Sequence, residues 1–234
     1  MAGIITIKDL SFSYPDGQQA LCEINLEIMP GEKVALIGAN GAGKSTLLLH
    51  LNGIFYGTGE VWVNAVKVNK ESIKEVRAWV GIVFQNPDDQ LFSPTVFEDV
   101  AYGPIYQGLD RASLQQRVEK ALAAVYMIDY AKRNPYHLSS GEKKRIAIAT
   151  VLSMEPQVLA FDEPTAGLDP RARRELIALL KELPQTMLIA THDMSLVESL
   201  TTRTIILNQG RIVADGLTKT ILDDEPLLVE NGLL

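Results

Sequence analysis

The chain has 234 residues, 47% of them hydrophobic and 22% charged, enough to bury one full core or a core with a small extra lobe. A net charge of −7 argues against passive affinity for nucleic acid. A single cysteine, Cys22, excludes an internal disulfide and a thiolate metal cluster, and is expected in the core. No apolar run approaches the roughly 20 residues of a membrane helix, and the N-terminus lacks a secretory signal, so a soluble cytoplasmic protein is expected.

Residues 3–10 alternate as a half-buried strand does, Tyr14-Pro15-Asp16-Gly17 is a turn, and 24–29 alternate again before Pro30-Gly31. A small antiparallel sheet is predicted. Tyr14, at its end, either stacks on a nucleotide base or packs on Pro15 as a hairpin residue. The apolar run 34–37 then reads as a buried strand ending at Gly38. Gly38, Gly43, Lys44 and Ser45 fit G-x-x-x-x-G-K-[ST], a phosphate-binding loop between a strand and a helix. Glycines let backbone N–H groups turn inward, and the helix N-terminus adds partial positive charge. Lys44 would reach the β- and γ-phosphates and the Ser45 hydroxyl would ligate Mg²⁺. The nucleotide-binding residues expected along the loop are Gly38, Asn40, Gly41, Gly43, Lys44, Ser45 and Thr46.

Residues 58–64 and 66–68 predict two further short strands, 71–79 a helix, and 81–84 a buried strand ending at Gln85. The stretch 86–94 is polar and turn-rich. Within it Leu91 and Phe92 read as exposed apolar residues beside Asp88 and Asp89, a composition suited to a partner surface. Helices follow over 96–106 and 110–127, the second capped by Asp110 or Ser113. After Pro135 another helix opens at Leu138-Ser139-Ser140-Gly141-Glu142 and runs to about Ser153, with Ser139 and Glu142 as a capping box. Lys143-Lys144-Arg145 reads as its solvated start.

The run 158–163 is an apolar strand delivering Asp162 and Glu163 to its carboxyl end. Adjacent carboxylates alternate sides, so Asp162 would orient Mg²⁺ and Glu163 would face an attacking water. Asp169 and Pro170 start a helix as N-cap and first residue. A further buried strand, 185–191, ends at His192, and Asp193 caps the next helix. His192 shares its strand-end position with Gly38, Gln85 and Glu163, which makes it a site candidate. His50 and His137 read as structural. A hairpin over 204–208 and 211–215 and a tail helix from Thr218 close the chain.

In order and spacing these motifs resemble the ATP-binding cassette (ABC) ATPase family across essentially the whole chain. The resemblance implies an α/β fold: an ABC-type P-loop NTPase with a mixed core sheet, an N-terminal antiparallel β subdomain and an inserted α-helical subdomain. It implies one domain, 1–234, with core and β lobe over 1–85 and 158–234 and the helical subdomain over about 86–157. It implies Glu163 as general base, with His192 on the γ-phosphate, Gln85 at Mg²⁺ and the lytic water, and Tyr14 on adenine. The family signature Leu-Ser-Gly-Gly-Gln reads Leu138-Ser139-Ser140-Gly141-Glu142 here; Ser139 and Gly141, which touch a partner subunit's ATP in the family, are kept. Such cassettes work as head-to-tail dimers around two ATPs, which implies a homodimer or a heterodimer with a sister ATPase, and Asp169 at the seam.

The stretches 83–92 and 95–104 resemble the ATPases of energy-coupling-factor importers, which take up cobalt, nickel or vitamins. There the segment after the glutamine lies in the groove that receives the membrane scaffold, so Asp88, Asp89, Leu91 and Phe92 are the expected partner groove, the carboxylates meeting scaffold arginines. The implied partners are a transmembrane scaffold and a substrate-binding membrane protein, with no nucleic acid, at the cytoplasmic face of the membrane. The chain runs about twenty residues past its last hairpin, without the C-terminal extension many members carry. This leans towards the cobalt or nickel type.

Overall fold

The computed structural model describes residues 3–234; Met1 and Ala2, where the expected signal-free N-terminus begins, lie outside the described residues. In chain order come β1 (Ile5–Ser13), β2 (Gln19–Ile28), β3 (Lys33–Ile37), α1 (Lys44–Leu51), β4 (Thr58–Val63) and β5 (Val66–Lys67). Then follow α2 (Ile73–Trp79), β6 (Val80–Val83), α3 (Val96–Tyr106), α4 (Arg111–Ala124), α5 (Ser140–Leu152) and β7 (Val158–Asp162). The last third holds α6 (Pro170–Glu182), β8 (Thr186–Ala190), α7 (Met194–Leu200), β9 (Arg203–Asn208), β10 (Arg211–Leu217), α8 (Thr218–Leu222) and α9 (Glu225–Glu230). The tail is thus two helices rather than one, because the Asp224 side chain accepts from the Leu227 N–H and caps a new start.

The chain divides into two compact units. The first holds the residues up to Ile82, Gln157–Glu163 and Pro184–Leu234; the second holds Val83–Pro156 and Pro164–Leu183. Residues 164–183, expected with the core, therefore group with the helical stretch. Within the second unit α6 packs on α5, with Arg145 and Glu175 paired at 3.0 Å.

In the first unit, four antiparallel strands run in the order β2-β1-β4-β5. Asn64 and Ala65, with φ of 48° and 62°, form the tight β4–β5 turn, whose left-handed backbone matches the strand twist. The other sheet has the order β10-β9-β3-β8-β7-β6, with β7, β8, β3 and β9 mutually parallel and β10 antiparallel at one edge. The central strands bury almost every residue, as a parallel sheet covered on both faces requires. Leu36 and Asp162 both lie opposite Ala190, so β3, β8 and β7 end on one line and whatever follows them emerges side by side. Ala35, Ile37, Val197 and Ile206 form a core cluster that Ile221 of α8 and Leu228 of α9 complete. Cys22 is half-buried rather than a core residue. Leu21, Ile24, Leu26 and Ile28 hold the inward positions of β2, and bulges against β1 break the alternation around Cys22.

In the second unit every long helix starts on a side-chain cap. Thr95 with Glu98, and Ser139 with Glu142, form capping boxes on α3 and α5. Asp110 caps α4, and Asp169 with Pro170 opens α6. The triplet Lys143-Lys144-Arg145 is not a solvated helix start. Successive helical residues point about 100° apart, and each finds its own partner. Lys143 pairs with Asp88 at 2.6 Å, and Lys144, 2% exposed, donates to the Gln85 carbonyl at 2.5 Å. Arg145 pairs with Glu175.

Candidate functional site

The loop between β3 and α1 is shaped by what surrounds its glycines. A Cβ on Gly38 would lie 2.2 Å from the Leu207 carbonyl oxygen, and one on Gly43 2.5 Å from that of Ala20. Gly43 also has φ +106°, a left-handed conformation that favours glycine. The Gly210 N–H donates to the Ala42 carbonyl at 3.0 Å, so the β9–β10 hairpin holds the loop from behind. Lys44, 7% exposed, folds back to donate to the carbonyls of Gly38 at 2.7 Å and Ala39 at 3.1 Å. Burial pushes its pKa below the usual lysine value, while the carboxylates of Glu163 and Asp162 favour the charged form. Asn40, Gly41 and Ser45 are exposed along the loop, and Thr46 is buried with its Oγ1 2.7 Å from the Tyr14 hydroxyl. Gly38→Ala should lower stability by about 1–3 kcal/mol through the carbonyl clash. A thermal melt would show this as a Tm drop of roughly 2–10 °C; an unshifted melt would contradict the packing.

The acidic end of β7 lies beside this loop in the strand register. Glu163 has φ +45°, uncommon for a residue with a side chain, and its N–H still donates to Ala190 at 2.8 Å. The backbone step turns its carboxylate towards the end of β8. There the Thr191 hydroxyl donates to Oε2 at 3.1 Å, the His192 N–H donates to Oε2 at 3.4 Å, and His192 Nδ1 lies 2.8 Å from Oε1. Glu163 is 8% exposed whereas the His192 side chain is 69% exposed, a buried carboxylate with an open imidazole beside it. Asp162 sits half-buried at the strand end. Thr191 was not legible as a site residue; its only signal is its place between the buried strand and His192.

Tyr14 packs edge-on against Phe12 and Phe55, with ring centroids 5.2 and 5.8 Å away. His50 closes the same cluster: its Nδ1 lies 2.7 Å from the Thr46 carbonyl, and burial lowers its pKa. This fits the structural reading of His50.

The second unit holds the other expected residues. Gln85 is exposed just after β6. Asp88 and Asp89 lie in a single 3-10 turn, Pro87–Asp89, opened by the Asn86 side chain accepting from the Asp88 N–H. The expectation that Leu91 and Phe92 are both exposed is half corrected: Leu91 is 2% exposed and Phe92 is 60% exposed. Asp99 is the reason. Its Oδ1, buried in the first turn of α3, accepts from the N–H groups of Phe92 at 3.1 Å and Ser93 at 2.9 Å. That anchors the backbone with Leu91 inward and Phe92 outward, where the Phe92 ring meets Tyr102 edge-on at 5.3 Å. Ser139 is exposed at the N-terminus of α5. A Cβ on Gly141 would lie 3.0 Å from the Ala172 Cβ, so this end of α5 abuts the first turn of α6, which Asp169 caps.

Comparison with known proteins agrees with this arrangement. The ABC transporter family profile matches residues 21–166. An energy-coupling factor transporter ATP-binding protein, EcfA, of Methanothermobacter thermautotrophicus is 48% identical over 96% of this chain and 74% of its own length. The structure of cbiO1 from Clostridium perfringens, described as part of the ABC transporter complex cbiONQ, is 38% identical. It superposes with a TM-score of 0.87 over 100% of this chain and 96% of that one. The dimeric ATP-binding cassette MJ0796, bound to ADP and Pi in a post-hydrolysis state, is 27% identical, with a TM-score of 0.81 over 92% of this chain and 98% of that one. The overall topology is that of this family's cassettes, and the chain belongs to the ABC transporters as an ATP-binding, ATP-hydrolysing subunit.

Proposed function

We propose that the chain is the ATPase of an energy-coupling-factor-type import complex at the cytoplasmic face of the membrane, and that the cargo is cobalt or nickel ions. The observation that carries the catalytic part is the single line of strand ends that sets Lys44, Asp162, Glu163 and His192 beside one glycine loop. The import type is supported by the sequence of 83–104 and by the EcfA and cbiO1 likenesses. The EcfA name states no cargo and suits a vitamin importer equally well.

In this reading ATP lies along 38–46 with its adenine against Tyr14, and Gly38, Asn40, Gly41 and Gly43 let the loop amides surround the phosphates. Ser45 and Asp162 offer the oxygen donors that Mg²⁺ prefers, with Gln85 the further donor that the family resemblance implies, and the ion would neutralise β,γ-phosphate charge. Glu163 positions the attacking water in line with the γ-phosphorus. Lys44 and His192 take up charge that develops on the γ-phosphoryl oxygens. Ser139 and Gly141 of a second cassette, identical or sister, present the N-terminus of α5 to the same phosphate, with Asp169 at the seam. Adding EDTA in excess should abolish hydrolysis, and Mg²⁺ should restore it; phosphate release that persists in EDTA would remove the metal from the mechanism.

Among the described residues no helix is long and apolar enough to cross a membrane, so membrane attachment falls to partners. Phe92 and Tyr102 give an exposed aromatic pair for a scaffold, with Asp89 exposed three residues before Phe92 and Asp88 tied to Lys143. The test is affinity purification of the tagged chain from its own membranes with mass spectrometry of what accompanies it. A multi-span scaffold together with a small binding protein bearing metal ligands is the expected result. Ribosomal or DNA-repair proteins, or no membrane partner, would overturn it.

A further inference from the structure

The signature turn departs from the family pattern at Glu142, and the surroundings of that carboxylate carry a consequence for nucleotide-driven assembly. Ser139 Oγ donates its one proton to Glu142 Oε2 at 2.7 Å, and the Ser139 N–H donates to the same oxygen at 2.8 Å. On its other side Glu142 accepts from the Tyr130 hydroxyl, and Arg133 adds a positive field, its guanidinium 4.1 Å from the Tyr130 ring centroid. Burial raises the Glu142 pKa, but the hydrogen bonds from Ser139 and Tyr130 and the charge of Arg133 outweigh it and hold the group ionised.

Ser139 is therefore already engaged by an anion. A hydroxyl has one proton to donate, so a γ-phosphate arriving at Ser139 must compete with the Glu142 carboxylate for it. The same negative charge sits at the helix N-terminus, where it offsets the partial positive charge a phosphate would use. Tyr130 and Arg133 supply the compensation: when Ser139 turns away, Glu142 keeps the Tyr130 hydroxyl, the Ser139 N–H and the Arg133 field.

We propose that Glu142 is a positioning residue that sets the ATP demand of dimer closure, its carboxylate holding the Ser139 hydroxyl until a partner's γ-phosphate displaces it. This rests on the reading above that Ser139 meets ATP across a dimer. Glutamine at this position keeps the N3 side of a capping box while removing the charge, so Glu142→Gln separates the electrostatic role from the structural one. Tyr130→Phe does the opposite: it withdraws the alternative donor and leaves Glu142 more dependent on Ser139.

The experiment is sedimentation velocity of the full chain carrying Glu163→Gln, titrated with Mg-ATP, with and without each second substitution. Glu142→Gln should lower the ATP concentration for half-maximal dimer by about tenfold, the order expected from removing one partly screened like charge. Tyr130→Phe should raise it by about threefold, the loss of one modest hydrogen bond. A purely structural cap would shift the melting temperature without moving the two midpoints in opposite directions. An unchanged or raised midpoint for Glu142→Gln overturns the proposal while leaving the ATP sandwich intact. Absence of an ATP-induced dimer from every variant, with ATP still bound, overturns the sandwich of two copies itself and the proposal with it.

Discussion

Glu163→Gln should bind ATP as the native chain does yet hydrolyse it about 10²–10³ times more slowly, the range expected for removing a general base. The geometry makes this a clean substitution. Glutamine matches glutamate in shape, and its amide oxygen can still accept from the Thr191 hydroxyl and the His192 N–H, which now reach Oε2 at 3.1 and 3.4 Å. The amide nitrogen then faces His192 Nδ1, 2.8 Å from the present Oε1, and that ring nitrogen can accept as the Nε2–H tautomer. The backbone strain at φ +45° belongs to residue 163 whichever side chain it carries. Stability should therefore hold while the ability to attract a water proton is lost. Single-turnover phosphate release alongside an ATP titration separates the two effects. Turnover within twofold of native would move the base elsewhere.

Lys44→Ala should weaken ATP binding by about 10²-fold, the loss of one or two charge-assisted hydrogen bonds to phosphate. In the structure the ammonium donates to the carbonyls of Gly38 and Ala39. Its reach into the loop is thus set by the loop itself; burial lowers its pKa, and the nearby carboxylates of Glu163 and Asp162 work against that by favouring the charged form. Alanine removes the donor to those two carbonyls and a positive charge near the two carboxylates, so anion binding is weakened on both counts. Titration calorimetry with ATP and with adenosine would discriminate, since adenosine lacks the phosphates and should be affected little. Equal losses for both ligands would mean a collapsed loop rather than a lost phosphate contact.

Much of the arrangement around the candidate site was legible from local pattern. The phosphate loop, the strand-end acids, His192 and the caps at Asp110, Ser139, Asp169 and Asp193 all depend on neighbours within a few residues, where sequence spacing and spatial contact coincide. What escaped depends on residues far apart in the chain. Leu91 looked exposed because Asp88 and Asp89 precede it; Asp99 turns it inward from the next helix. Lys143-Lys144-Arg145 looked solvated because a charge run has no local signature of pairing, yet the partners are 55, 59 and 30 positions away. Tyr14 could not be placed between a base and Pro15 by spacing; its ring partner Phe55 lies on the far side of the phosphate loop. The grouping of 164–183 with the helical stretch likewise follows from packing of α6 on α5, which no periodicity encodes.

The Leu207 carbonyl that abuts Gly38 ties α8 and α9 to the phosphate loop. Leu207 precedes Asn208, whose side-chain amide donates to Asn231 Oδ1 at 2.9 Å, and Leu228 of the same helix seals the core cluster beneath Ala35 and Ile37. The floor under the phosphate loop is thus laid after the loop itself in synthesis, since β3 and its glycines emerge well before α8 and α9. A ribosome-bound fragment ending before residue 218 would carry every phosphate-binding residue of the loop and still lack the layer that holds β3 from below. The packing of α8 and α9 against β3 should accordingly strengthen nucleotide binding, so a fragment ending before residue 218 should bind ATP more weakly than the 234-residue chain in an equilibrium titration.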